Sequence, residues 1–243
     1  LKNEYWIILI VYIGMQLSSY LGVPLFAVIG TISGGSPAEV QALSVAYWLV
    51  FSFTAALILV LFLLRKEFKS KETLDRSISS PLASIAWAIA GVFLALFAQS
   101  LAANIENLIG IEMGSENTQQ IIRIIETLPI VVIVSSIIGP ILEEIVFRKV
   151  IFGALHKRMN FFLAALISSV IFAFAHLEPE HVLLYSAMGF TFAFLYVRTK
   201  RILVPIFAHV SMNTLVVIIQ MNQDKLQKWI EKMEQIQSFI GGF

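Results

Sequence analysis

No cysteine occurs among the 243 residues, which excludes disulfides, thiolate metal sites and a cysteine nucleophile together. Aspartate is almost as scarce. Only Asp75 and Asp224 are present, one in a charged loop and one in the C-terminal tail, so an intramembrane aspartyl dyad is absent. Charge of either sign is thin: Asp, Glu, Lys and Arg make up 14%, against about 25% in a soluble domain. The 17 basic and 16 acidic residues leave a net charge of +1, without the basic excess that nucleic-acid binding shows, so nucleic acid is not an expected partner. Neither a G-x-S-G serine motif nor an H-E-x-x-H zinc motif occurs. No internal repeat is evident, which leaves an inverted-repeat transporter without support. Any catalysis must come from oxygen or imidazole groups.

What fills the chain instead is hydrocarbon. Hydrophobic residues make up 58% and the mean hydropathy is +0.84, too apolar for one core in water. The expected fold is all-α: a polytopic transmembrane helix bundle of about 7 to 8 spans, forming one domain over 1–243 in the cell membrane. Since a span needs roughly 20 apolar residues, seven stretches qualify, at about 5–29, 41–64, 82–102, 126–147, 161–177, 182–197 and 202–220. The first has no A-x-A-like cleavage site behind it and reads as a retained span. Alternating these stretches across the bilayer puts 13 of the 17 Lys and Arg on one side, Lys71 and Arg76 among them. Basic residues are held back on the cytoplasmic face, so the N terminus and the loop 65–77 are expected inside and the loop 103–120 outside. From Gln220 onward, Leu226, Trp229, Ile230, Met233, Ile236 and Ile240 repeat with helical period between lysines. This is an amphipathic helix expected to lie along the membrane surface, with packing on a loop as the alternative.

Ionisable groups are costly in hydrocarbon and mark function by default. Here they gather in the second half: Glu143, Glu144 and Arg148 in the fourth stretch, His176 ending the fifth, and His209 with Asn213 in the seventh. Residues at i and i+4 share a helix face while neighbours point about 100° apart. Glu144 is therefore expected to pair with Arg148 as a structural staple, leaving Glu143 free to face a cavity. Spacing alone also allows both glutamates to be interfacial charges at a helix end. His209 and Asn213 are i and i+4 as well and suit stabilisation of an oxyanion, though such pairs also glue helices together. Phe172 and His176 share a face by the same rule. His156 in a basic loop and His181 in an acidic link are expected at the surface. Three helices that bring together a carboxylate, an imidazole and a His–Asn pair around one water would suit amide hydrolysis.

Glu143-Glu144-Ile-Val-Phe-Arg148, Phe172-Ala-Phe-Ala-His176 and His209-Val-Ser-Met-Asn213 follow the patterns E-E-x-x-x-R, F-x-x-x-H and H-x-x-x-N. In these the chain resembles the type II CAAX prenyl endopeptidases, within the larger family of CAAX proteases and bacteriocin-processing enzymes, and looks like a bacterial member. The resemblance covers roughly residues 125–220. It implies an intramembrane endopeptidase in which Glu143 and His176 activate a water while His209 and Asn213 hold the oxyanion, with Glu144, Arg148 and Phe172 in support. It implies no cofactor and no metal, membrane lipid as surroundings, and a hydrophobic or membrane-associated peptide or protein as substrate, not necessarily prenylated. Two alternatives stay open: a zinc-dependent version built on Glu143, His176 and His209, and a non-enzymatic membrane immunity protein, sensor or scaffold. One expectation conflicts with this picture. Counted along ideal helices from the cytoplasmic side, His176 lies about 22 Å deep and His209 roughly half that.

Overall fold

A computed structural model describes residues 3–69 and 79–240, and every regular element in them is helical. Lys2, Lys71, Asp75 and Arg76 lie outside the described residues. Helices α1 (Asn3–Ile32), α2 (Pro37–Lys69) and α3 (Pro81–Leu108) come first, then a short α4 (Glu116–Thr127). A continuous helix over 131–156, here α5, follows. Next are α6 (Phe161–Phe174), α7 (Val182–Thr199), α8 (Leu203–Met221) and α9 (Gln223–Ile240). Several starts are set by side chains that accept from an otherwise unpaired amide. Ser80 caps α3 through Ala83 N–H at 3.2 Å, Ser115 caps α4 through Thr118 N–H at 3.0 Å, and Asn160 caps α6 through Leu163 N–H at 3.0 Å.

By length and composition, five helical segments of the described residues are able to cross a membrane: α1, α2, α3, Pro179–Thr199 and α8. This falls short of the seven to eight expected, for two physical reasons. Helix α6 has 14 residues, so it rises about 21 Å and does not cover a hydrocarbon core of about 30 Å. The stretch 126–147 is not one unit: α4 ends at Thr127, Leu128 before Pro129 is extended (φ −141°, ψ 95°), and α5 starts afresh at Val131. Helix α5 then carries Glu143, Glu144, Arg148 and Lys149, and while Ile133 and Ile137 are exposed, the stretch 139–155 is enclosed by its neighbours. Leu142, Ile145, Val146 and Val150 join one core with Ile8 of α1, Val60 of α2, Phe172 of α6, Phe192 of α7 and Met212 of α8. Outward residues such as Phe93 and Phe97, each 68% exposed, form the apolar exterior that a bilayer would cover.

Small residues let the site-bearing helices approach closely, as membrane helix packing requires. A Cβ on Gly91 of α3 would stand 2.6 Å from Leu195 Cδ1 and 3.1 Å from Ala208 Cβ, the residue next to His209. One on Gly189 of α7 would stand 3.0 Å from Ser169 of α6. At one end of the bundle Lys149 Nζ meets Glu67 at 2.8 Å, Tyr5 donates to the same carboxylate at 3.4 Å, and Arg201 Nε donates to Ser79 C=O at 3.0 Å. These ties collect the basic helix ends on one side. Helix α9 is amphipathic as expected, with Leu226, Trp229, Ile230 and Met233 left exposed along it.

Candidate active site

Helix α5 departs from α geometry twice, at Val134–Ile138 and again at Glu144–Phe152, where it winds as a π-helix. Such stretches are rare and concentrate at functional sites. The first has a visible cause. Gly139 N–H donates to Val134 C=O in the i−5 register, and the same register would assign Ser135 C=O to residue 140, which is proline and has no N–H. Asn213 of α8 supplies the missing donor: its side-chain amide meets Ser135 C=O at 3.4 Å. A motif residue thus reads the backbone of the helix that carries the motif glutamates.

The second π stretch starts at Glu144. Glu144 and Arg148 are both fully buried and pair as expected, Nε to Oε2 at 3.3 Å. The guanidinium lies over the Phe172 ring at 4.8 Å and nearer its edge of reach over Phe192 at 5.9 Å. Its terminal nitrogens find no hydrogen-bond partner among the described residues. The other oxygen of Glu144 is taken by α8: His209 Nδ1 donates to Oε1 at 3.0 Å. The staple is therefore not only structural. Glu144 also sets the orientation of the His209 ring, which stacks on Phe192 at 4.6 Å with 19° between planes.

With Nδ1 committed to Glu144, the Nε2 edge of His209 points toward Glu143, 3.7 Å from its Oε2. Glu143 keeps 19% of its side chain exposed while Glu144 keeps none. Of the two carboxylates, only Glu143 is placed to meet water. His176 sits just beyond the end of α6, where Nδ1 donates to Phe172 C=O at 2.9 Å and leaves Nε2 available. Phe172 separates the two imidazoles, 4.6 Å from the His176 ring and 6.0 Å from that of His209. His176 also lies within electrostatic reach of Glu143 and His209. The two histidines thus flank one phenylalanine, too close together for the unequal depths counted along ideal helices. Among the described residues, no three His, Asp or Glu side chains are grouped so as to hold a metal ion.

One placement needs correcting. His156 is exposed as expected, but His181 is buried, with 5% of its surface accessible. Its Nδ1 meets Glu106 Oε2 and its Nε2 meets Gly114 C=O, both at 2.9 Å, while Glu106 Oε1 accepts from Leu184 N–H at 2.9 Å. Both ring nitrogens face acceptors, so the imidazole is tied at both ends. Glu178 is buried too. It accepts from Asn117 N–H at 2.7 Å, from Ser115 Oγ at 2.8 Å and from the Tyr185 hydroxyl. Burial opposes its charge, but the bonds from Tyr185, Asn117 and Ser115 outweigh it and hold its pKa below the usual 4.5. Apart from Tyr185, seven residues from Glu178, these partners stand 61 to 78 residues apart in sequence, and no local spacing signals them.

The sequence profile of the type II CAAX prenyl endopeptidase Rce1-like family matches residues 125–215, the stretch that contains all the residues of the three motifs. The chain is 50% identical over 246 residues to "Putative membrane peptidase YdiL" of Bacillus subtilis (strain 168), covering 100% of this chain and 99% of that protein. The chain belongs to this CAAX endopeptidase family. A second relative, "Membrane-embedded CAAX protease MroQ" of Staphylococcus aureus (strain USA300), is 37% identical over 179 residues, 70% of this chain and 72% of its own length. No solved structure matches the chain significantly. The likeness to the first relative runs through α1–α3 as well, so the family relationship is not confined to the motif-bearing helices.

Proposed function

We propose that the protein is an intramembrane endopeptidase that hydrolyses a peptide bond in a hydrophobic or membrane-associated peptide. The observation that carries this reading is the order Arg148, Glu144, His209, Glu143: a buried cation and carboxylate hold an imidazole whose second nitrogen faces a partly accessible second carboxylate. Glu143, with His176 beside it, takes a proton from water as the oxygen adds to the scissile carbonyl. The resulting oxyanion accepts from His209 Nε2–H and from the Asn213 N–H not engaged by Ser135. Collapse of the intermediate breaks the C–N bond, and the proton held at Glu143 and His176 passes to the leaving amine. His209 donates at both nitrogens in this scheme, from Nδ1 to Glu144 and from Nε2 to the oxyanion. The basic helix ends belong to the cytoplasmic face, with the N terminus inside, and α9 lies along the membrane surface.

One observation favours a second reading. His176 and His209 both commit Nδ1 to an acceptor and present Nε2, the arrangement that metal-bound histidines adopt. With Glu143 they would form the protein ligands of a catalytic zinc, which would supply the activated water. As placed, the three do not converge closely enough to do so, and the metal-free scheme is preferred.

The test is cleavage of a peptide library by purified protein, read by mass spectrometry. His209→Ala and Asn213→Ala should each lower kcat by about 10²–10³ with KM little changed, as loss of an oxyanion donor does. Unchanged kcat in both variants would remove the proposed oxyanion site.

A further inference from the structure

His176 is held by more than its motif. Its Nδ1 bond to Phe172 C=O and the edge of the Phe172 ring fix one side. The face of the imidazole is covered by a residue outside all three motifs: the Tyr185 ring of α7 stacks on it, 3.9 Å between centroids and 24° between planes. Tyr185 is itself anchored. Its hydroxyl donates to Glu178, approaches Ser115 Oγ at 3.1 Å, and through these reaches the start of α4, where Glu178 also accepts from Asn117 N–H at 2.7 Å. The ring is thereby tied at its far end to a different helix from the one that carries it.

We infer that Tyr185 and Glu178 are positioning residues for His176: the phenol ring fixes the imidazole plane so that Nε2 is presented to the water at Glu143, and Glu178 fixes the phenol. The inference rests on the reading of His176 as part of the water-activating pair. Three physical arguments support it. A stacked ring 3.9 Å away removes the rotation that a lone bond at Nδ1 would leave to the imidazole. His176 lies in the turn 175–177, where Leu177 takes φ +60°, so helix geometry does not hold its side chain. The electron-rich face of a phenol that donates to a carboxylate also favours positive charge on the imidazole as it takes a proton. Neither residue touches the reacting atoms. Their effect passes through His176.

The experiment compares Tyr185→Phe, Tyr185→Leu and Glu178→Gln with wild type on a quenched fluorescent peptide chosen from the cleaved library, with His176→Ala alone and combined with Tyr185→Leu. Tyr185→Phe keeps the stack and loses the anchor. It should lower kcat by about tenfold, and Tyr185→Leu by about a hundredfold, the cost of small misplacements near the chemistry. KM should stay within about twofold, the pH profile of kcat should shift, and Tyr185→Leu should add nothing to His176→Ala. With only four histidines in the chain, a second readout independent of activity is available: the His176 ring resonances in 13C-histidine NMR should be single in wild type and Tyr185→Phe, and broadened or doubled in Tyr185→Leu. Full kcat in Tyr185→Leu together with an unaltered His176 resonance would overturn the inference. So would a rise in KM at constant kcat, which would make Tyr185 a substrate contact. Activity retained in His176→Ala would instead overturn the reading on which the inference rests.

Discussion

His209 Nδ1 lies 3.0 Å from Glu144 Oε1, and the other oxygen of that carboxylate lies 3.3 Å from Arg148 Nε. One buried anion thus serves a cation on its own helix and an imidazole on another. Spacing along α5 shows the first relationship. The second joins residues 65 apart in sequence, and it changes what Glu144 does.

Replacing Glu144 by Gln strands Arg148 and loosens His209 at once. Stability should fall by about 3–5 kcal/mol, the cost of breaking a buried ion pair, and cleavage should fall with it. Double replacement of Glu144 by Gln and Arg148 by Met leaves no uncompensated charge, so part of the stability should return. Activity should not, because His209 still lacks its carboxylate. Thermal unfolding in detergent and peptide cleavage, measured on the same preparations, separate the two effects. Recovery of activity in the double variant would mean that Glu144 acts only as a staple.

The apolar stretches, the paired i and i+4 residues and the three motifs were legible because each is local. Helical period places Glu144 against Arg148 whether the helix winds as α or π, since both registers keep i and i+4 near one face. The π stretches themselves were not legible: Pro140 signals a missing donor, but not that Asn213 would replace it. The break at Leu128-Pro129 was hidden because Ile124, Ile125, Leu128 and Ile130 keep the segment apolar through the turn. His181 read as a surface residue because its partners Glu106 and Gly114 lie on a distant segment, and only the folded bundle brings them together. A charged residue at a span end is ambiguous until its long-range partner is known.

Glu178 gives a pH dependence with a definite sign. Its pKa is depressed in the folded protein, so its contribution to stability is complete above the ordinary carboxylate range and is lost as pH falls through the folded value. Thermal unfolding should therefore show no loss from this group between about pH 7 and 5, and an acid-induced loss below about pH 4. Glu178→Gln should be less stable at neutral pH and should lack that part of the acid loss. An identical acid profile in wild type and Glu178→Gln would contradict the assignment.

The absence of native cysteine makes topology directly measurable. A single cysteine at Glu112 should be labelled by an impermeant maleimide added to intact cells, and one at Lys71 only after the membrane is opened. Labelling of the Lys71 position from outside would invert the orientation.

Metal dependence separates the two readings of the site. With water activated by Glu143 and His176 alone, cleavage should survive prolonged chelation and dialysis. Stoichiometric zinc in the active protein, with activity lost on stripping and regained on return of the metal, would establish the zinc reading.

The central claim is that Glu143, the one motif carboxylate left partly accessible beside His209, is the base that activates water. Glu143→Gln preserves shape and hydrogen-bonding capacity while removing the base, so the decisive measurement is peptide cleavage by this variant beside wild type, with thermal unfolding recorded for both. The account predicts turnover reduced to background in a protein that inserts, purifies and unfolds as wild type does. Cleavage by Glu143→Gln at a rate near that of wild type would contradict it.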